Sequence, residues 1–374
     1  MKVAIIGTQG VPAKYGGFET MVDNILGENA SPDIQYTVFC SSKDMKETPT
    51  EYKGAKLKYL PFKANGMQSV LYDGVSLFLS VRGYDAILVL GVSSGLFFPL
   101  FRLLNRKRLI VNVDGLEHKR AKWGWFTKLF LRLSEEMALR FSNIVVADNQ
   151  GIVNYIRKRY KKKTVLITYG GDHVLRQVTE NSQQEILKDL SLQKNQYSLS
   201  ICRVEPENNC HLILEAFVRT GENIAFIGNW ERSEYGRDLK KKYKDCDNIT
   251  IIDPIYDLEV LYALRNNCKF YVHGHSAGGT NPSLVESMFF GCPVLAYDVI
   301  YNRVTTENSA NYFRDITDLA LLLVKDPSIY ATNAKSMSEI AHRQYVWRSV
   351  AKQYENLYEP MFISNIYTIT RILN

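Results

Sequence analysis

The densest run of residues able to do chemistry is His273-Gly274-His275-Ser276-Ala277-Gly278-Gly279-Thr280-Asn281-Pro282-Ser283-Leu284-Val285-Glu286. It leaves a β-branched run, crosses a glycine-rich turn and enters a helical pattern at Pro282, whose missing N–H costs nothing in a first turn. The amides of Gly279, Thr280 and Asn281 are then free to cradle an anion. Glu286 lies one turn inside, with Ser283 before it, within reach of a ribose diol. A second run, Arg203-Val204-Glu205-Pro206-Glu207-Asn208-Asn209, also follows a strand pattern and precedes a helix. The planar fork of Arg203 suits a diphosphate as charge and as bidentate donor; an ion pair with Glu205 or Glu207 is its other use. Arg203, Glu205, His275 and residues 279–283 with Glu286, joined by Gly16 and Gly17 of the first half, form the candidate ligand-binding set.

The first half supplies two further loops. Residues 7–20 follow an apolar run and carry Gly16-Gly17 at a helix start, where glycine lets backbone approach a phosphate and free amides can bind it. The dinucleotide fingerprint G-x-G-x-x-G is absent, and the second strand ends in Cys40-Ser41-Ser42-Lys43 rather than an acidic ribose ligand. Asp114 and Glu117 follow a buried strand, where ligands of open α/β sheets collect. Either carboxylate is a candidate catalytic or sugar-binding group, although an aspartate before Gly115 is also an ordinary turn residue. His118 is a candidate general base, but a lone histidine among lysines reads first as a solvated loop residue.

These loops need strands to position them. Apolar runs recur at 3–6, 36–40, 86–90, 109–113, 144–147 and 165–167, then at 199–202, 224–227, 249–252, 270–273 and 294–297, with helical segments between. Near-continuous apolar runs are expected of parallel strands buried on both faces. A polar stretch at 179–196 separates the two series, and two successive α/β sheets are predicted. Residues 345–360 place apolar side chains three to four apart, an amphipathic helix after the second sheet is complete. It has the option of lying back across the first domain.

The whole composition fits this plan. A chain of 374 residues is long for one core, and 46% hydrophobic with 23% charged residues is ordinary for a globular protein. A net charge of +7 suits an acidic phosphate substrate or an anionic membrane and fits nucleic acid poorly. The six cysteines contain no CxxC pair, so neither a disulfide framework nor a zinc site is expected. No apolar run approaches the roughly 18–20 residues that cross a bilayer. Nor is there a signal-peptide pattern, and a cytoplasmic protein is expected, with any membrane contact peripheral. The stretch 119–132 mixes cations with Trp123, Trp125, Phe126 and Phe130. It reads either as such a contact or as a core-packed helix with a basic edge.

Four motifs in this order resemble the retaining GT-B glycosyltransferases (glycosyl transferases group 1), in particular a bacterial rhamnosyltransferase-like branch. They are G-x-x-G-V-P-x-x-Y-G-G-F-E-T at 7–20, V-D-G-L-E-x-K-R at 113–120, R-x-E-P-E-N-N at 203–209 and G-G-T-N-P-S-L-V-E at 278–286. The resemblance implies an α/β fold of two Rossmann-like doubly wound domains facing across a cleft. It implies an acceptor-side domain over 1–172, a nucleotide-sugar-binding domain over 173–344, and C-terminal helices over 345–374 crossing back to the first. It further implies a hinge-side loop at Tyr169-Gly170-Gly171-Asp172.

The implied activity is transfer of a hexose, best read as L-rhamnose from dTDP-rhamnose, to a saccharide or polyprenyl-diphosphate-linked acceptor in capsule or O-antigen assembly. UDP-glucose, UDP-galactose and GDP-mannose are the alternative donors, and a non-catalytic sugar-nucleotide-binding protein is the other reading. No cofactor and no metal are implied, and catalysis would rest on Arg203 with Asp114 and Glu117. The wider superfamily carries a lysine where this chain has Asn208 and a glutamate where it has Gly278. Loss of that carboxylate suits a deoxy sugar.

Overall fold

The computed structural model describes residues 1–359 apart from 14, 15, 30, 67, 114, 116 and 120–123. The chain divides into two compact units: Met1–Thr168 with the returning helix Trp347–Tyr358, and Tyr169–Val346.

The first unit runs β1 (Lys2–Ile6), α1 (Gly17–Gly27), β2 (Gln35–Ser41), β3 (Glu51–Tyr52), β4 (Ala55–Leu60), α2 (Gln68–Leu79), β5 (Ala86–Leu90), α3 (Phe98–Leu104), β6 (Arg108–Val113), α4 (Trp125–Phe141), β7 (Ile144–Ala147), α5 (Gln150–Tyr160) and β8 (Val165–Leu166). The sheet order is β3-β4-β2-β1-β5-β6-β7-β8, parallel except for the β3–β4 pair. The order reverses between β1 and β5, so the loops after these two strands share one crevice. The central strands β1 and β5 are buried along almost their whole length, as their unbroken apolar sequences require.

The second unit continues α6 (Glu180–Asp189), β9 (Ser198–Ile201), α7 (Cys210–Thr220), β10 (Ile224–Ile227), α8 (Glu234–Tyr243), β11 (Ile249–Ile252), α9 (Leu258–Asn266), β12 (Tyr271–His273), α10 (Pro282–Met288), β13 (Val294–Tyr297), α11 (Ile300–Thr305), β14 (Asn311–Phe313), α12 (Ile316–Leu323) and α13 (Ala331–Gln344). Its strands are all parallel in the order β11-β10-β9-β12-β13-β14. The reversal here falls between β9 and β12. Two apolar clusters, one on each face of the sheet, close this unit.

The last helix, α14 (Trp347–Tyr358), belongs to the first unit and packs on α1. Its inward stripe of Trp347, Val350, Tyr354, Leu357 and Tyr358 is buried at the three-to-four spacing of an amphipathic helix. Tyr354 accepts from Asn112 Nδ2 at 2.6 Å, and Arg108 Nη1 donates to the Leu357 carbonyl at 2.9 Å. These bonds tie the chain end to β6. Of the segment expected to cross back, residues 360–374 lie outside the described residues.

Strands β3, β4 and β14 were not predicted. In β4 the sequence Ala-Lys-Leu-Lys-Tyr-Leu alternates, with Lys56 and Lys58 exposed and Ala55 and Leu57 buried. One solvated face removes the unbroken apolar run that marks the central strands. β14 is three residues long at a sheet edge.

Candidate functional site

The loops following β9 and β12 flank the reversal point of the second sheet, the place where ligands of open α/β sheets bind. Several hydrogen bonds lock the two loops together. Ser276 donates to the Glu207 carbonyl from its amide at 2.9 Å and from its hydroxyl at 2.8 Å. Asn209 Nδ2 donates to the Gly274 carbonyl at 2.8 Å. Asn208, 2% exposed, donates from Nδ2 to the Arg203 carbonyl at 2.8 Å and accepts from His275 Nδ1 at 2.7 Å. The residue standing in place of a phosphate-binding lysine is therefore a buried brace between the two loops.

Arg203 is half-buried, and its guanidinium makes no hydrogen bond or ion pair with a described residue. The alternative pairing with Glu205 or Glu207 is not formed. Glu205 precedes the 3-10 turn Pro206–Asn208 and accepts from Cys210 Sγ and the Asn208 amide through its carbonyl. Gly279 has φ +98°, a region that L side chains rarely adopt, and it swings the chain into α10. Asn281 caps that helix by accepting from the Ser283 amide at 3.0 Å, and Pro282 follows at its first position. Thr280 is buried, while Asn281, Pro282 and Ser283 are half-buried. The amides of Gly279 and Asn281 have no acceptor among the described residues.

The sequence places Glu286 within reach of a ribose diol. In the structure Oε2 pairs with Arg265 Nη2, and Oε1 lies 3.6 Å from His173 Nε2. Arg265 on α9 is 2% exposed, and its Nε and Nη1 are buried without a partner. Burial raises the Glu286 pKa, with the Arg265 charge pulling it back down. His173 sits in the 3-10 turn Asp172–Val174, just after Gly171. A Cβ on Gly171 would come within 2.8 Å of both Val285 and Phe289, so this loop is pressed onto α10. The Gly171 amide donates to the Tyr345 carbonyl at 2.7 Å. Arg265 and His173 were missed because each is a lone polar residue whose sequence neighbours give it no context.

In the first unit, Gly16 caps α1 with φ +126°, and a Cβ there would collide with Glu19. Gly17 opens the helix. Glu19, 8% exposed, accepts from Thr8 Oγ1 at 3.0 Å and from the Gln9 amide at 2.7 Å. Asp23, one turn further on, accepts from the Ala13 amide at 2.8 Å. The helix thus holds its own preceding loop through two carboxylates.

On the other strand of this crevice, Ser93 donates to Asp73 of α2. Asp73 is 5% exposed, and burial pushes its carboxyl up to about 7 against the pull of the Ser93 hydroxyl.

Asp114 lies outside the described residues. Glu117 opens a 3-10 turn, and its amide donates to the Gly115 carbonyl at 2.7 Å. His118 is not a solvated loop residue: its Nδ1 lies 3.2 Å from Glu135 Oε2, with 13% of the side chain exposed. Glu135 is 1% exposed and also accepts from Tyr155 at 3.0 Å and Tyr160 at 2.7 Å. Burial raises its pKa, but His118 and the two phenols outweigh that and bring it below the ordinary value. No group of three or more His, Cys, Asp or Glu converges for a metal among the described residues.

The two open parallel sheets and the returning helix define the GT-B fold. Sucrose-phosphate synthase from Thermosynechococcus elongatus is similar at TM-score 0.79 and 18% identity, covering 97% of this chain and 99% of that one. Anabaena HepE in complex with UDP is similar at 0.72 and 15%, covering 95% and 98%. The catalytic domain of starch synthase IV from Arabidopsis thaliana, bound to ADP and acarbose, is similar at 0.69 and 13%, covering 96% and 98%. Residues 1–172 match a domain of unknown function (DUF1972), and residues 182–313 match glycosyl transferases group 1. The second unit therefore carries a group 1 glycosyl transferase domain. No curated protein matches the sequence.

Proposed function

We propose that the chain is a retaining glycosyltransferase. It moves a hexose from a nucleoside diphosphate, L-rhamnose from dTDP-rhamnose as the specific donor, to a lipid-linked or oligosaccharide acceptor in surface-polysaccharide synthesis on the inner face of the membrane. One observation carries this: a guanidinium, Arg203, and two amides, Gly279 and Asn281, that have no partner among the described residues belong to the two loops at the reversal point of a group 1 glycosyl transferase domain. A cation and free amides suit the charge of a departing diphosphate, whose developing charge is the chief thing to stabilise. The solved likenesses with UDP and ADP support a nucleoside diphosphate as the bound group.

The diphosphate oxygen takes the acceptor proton as the new bond forms on the same face of the sugar, so no side-chain nucleophile and no metal are needed. Asp114 and Glu117 orient acceptor or sugar. Gly16 and Gly17 open a helix whose start suits a phosphate, and Glu205 and His275 shape the donor side. Glu286 reaches the pentose from a carboxylate whose Oε2 is held by Arg265 and whose Oε1 lies 3.6 Å from His173 Nε2.

The test is a thermal-shift panel of dTDP-, UDP- and GDP-sugars, then nucleoside-diphosphate release with acceptor present. Stabilisation scales with ligand excess over Kd. A panel in which no sugar nucleotide stabilises the fold overturns the reading. Binding without turnover leaves a sugar-nucleotide-binding protein.

A further inference from the structure

Helices α3 and α4 carry an apolar outer face. Each connects neighbouring parallel strands in the same direction, β5 to β6 and β6 to β7. Right-handed crossovers place both helices on one side of the sheet, with their outer faces turned the same way. They lie side by side: Arg102 Nε of α3 donates to the Phe141 carbonyl of α4 at 2.6 Å, and a Cβ on Gly95 would collide with Ser134.

On α4 the inward side is Ser134, Glu135, Ala138 and Leu139. The outward side of its first turns is Trp125, Phe126, Leu129 and Leu133, with Trp125 66% and Phe126 70% exposed. The two rings stack at 3.7 Å between centroids. Further along the pair, where residues 95–102 run beside the second half of α4, Leu96, Leu100, Leu103 and Leu104 are exposed, Leu103 at 83%. An amphipathic helix of a globular domain turns its apolar stripe inward; the first half of α4 turns one outward. Adjoining apolar side chains on this scale mark an interaction surface rather than scattered exposure.

The charge around this face decides its occupant. From the start of α3 to the end of α4, residues 98–141, the sequence has ten lysines and arginines against four carboxylates, of which Glu135 is buried, and Arg106, Lys107 and Arg132 are exposed. A second copy of the chain would set cation against cation. An anionic bilayer supplies both an apolar layer and phosphates at its boundary.

We propose that α3 and α4 dock the first unit on an anionic lipid surface. Trp125, Phe126 and the leucines enter the headgroup boundary, while Arg132 and Lys128 meet headgroup phosphates. The use of this docking rests on the lipid-linked acceptor proposed above; the docking itself does not. Because α4 begins where the loop after β6 ends, the loop carrying Glu117 is held next to the bilayer from which such an acceptor would come.

The experiment is flotation of the full chain with phosphatidylcholine vesicles containing or lacking phosphatidylglycerol. The expected result is binding to the anionic vesicles alone. Leu129→Glu with Leu133→Glu, and separately Leu103→Glu, should lower the bound fraction about tenfold or more by removing buried apolar area and adding repulsion. Each variant should keep its melting temperature and its nucleoside-diphosphate release with a water-soluble acceptor. Wild-type chain that ignores anionic vesicles, or variants that float as it does, overturns the proposal. So does a dimer dissociated by Leu103→Glu, which would make the face a protein interface. Absence of any transferase activity would sink the proposed function and leave the flotation result standing.

Discussion

His275 donates from Nδ1 to Asn208 Oδ1 at 2.7 Å while the Nδ2 of the same amide donates to the Arg203 carbonyl at 2.8 Å. The second bond fixes which end of the amide accepts, so it also fixes the proton of His275 on Nδ1. One buried side chain thereby sets the loop bearing Arg203 and the tautomer of an imidazole in the loop after β12.

Restoring the lysine of the wider superfamily at this place should fail. Asn208→Lys puts an ammonium at a 2%-exposed position and removes both bonds. A loss of about 2–4 kcal/mol is expected from an unpaired buried charge and an orphaned imidazole. Urea denaturation measures it; an unchanged midpoint would show the site to be more open than the structure has it.

Arg203→Ala should separate binding chemistry from folding. Its guanidinium has no partner among the described residues, so the melting temperature should hold within about 1 °C for a surface change of this kind. Nucleoside-diphosphate release should fall by orders of magnitude, roughly 3 kcal/mol or more of lost phosphate pairing. A mere twofold loss would remove Arg203 from the site. By contrast, Asp114→Ala with a loss of about tenfold or less would limit Asp114 to orientation.

Arg265→Met should damage stability first. Breaking a buried ion pair from one side leaves Glu286 with only the longer His173 contact and costs about 3–5 kcal/mol. The variant with Glu286→Gln added should recover part of this, since the pair then has no buried charge to strand. If Glu286 grips the pentose, donor KM should rise further in the double variant while kcat changes less. Kinetics that leave KM untouched in both would place Glu286 outside the donor site.

Asp73 makes stability depend on pH. Its folded pKa is pushed up to about 7 by burial, whereas an unfolded aspartate titrates near 3.9. Between these values the folded chain keeps a proton that the unfolded chain has released, so stability falls as pH rises through the window. The full cost, on the order of 4 kcal/mol for three pK units, stands above about pH 7 and vanishes below about pH 4. Asp73→Asn should therefore melt above wild type near pH 8, with the two curves converging as pH drops. Parallel curves across the range would refute the assignment.

Much of this was legible in advance because buried parallel strands leave unbroken apolar runs. The strand at 86–90 and its neighbours are such runs, and the glycine turn before Pro282 announced a loop entering a helix. What stayed hidden were the partners. Nothing beside Glu19, Asp23 or Glu135 in the sequence announces a partner, yet Glu19 and Asp23 each hold a loop about ten residues back and Glu135 takes the Tyr160 phenol. Arg265 reads as a surface cation because nothing within a turn of it foretells Glu286, 21 residues away. Lys56 and Lys58 concealed β4, since a half-solvated strand alternates and lacks the unbroken apolar run of a buried one.

The single bond from the Gly171 amide to the Tyr345 carbonyl joins the segment by which the chain enters the second unit to the one by which it leaves. Topologically, that unit is an insertion on a narrow neck. Residues 169–346 should be separable as a self-standing piece, and new termini opened elsewhere in them, with the old ends bridged by a few residues, should leave both sheets intact.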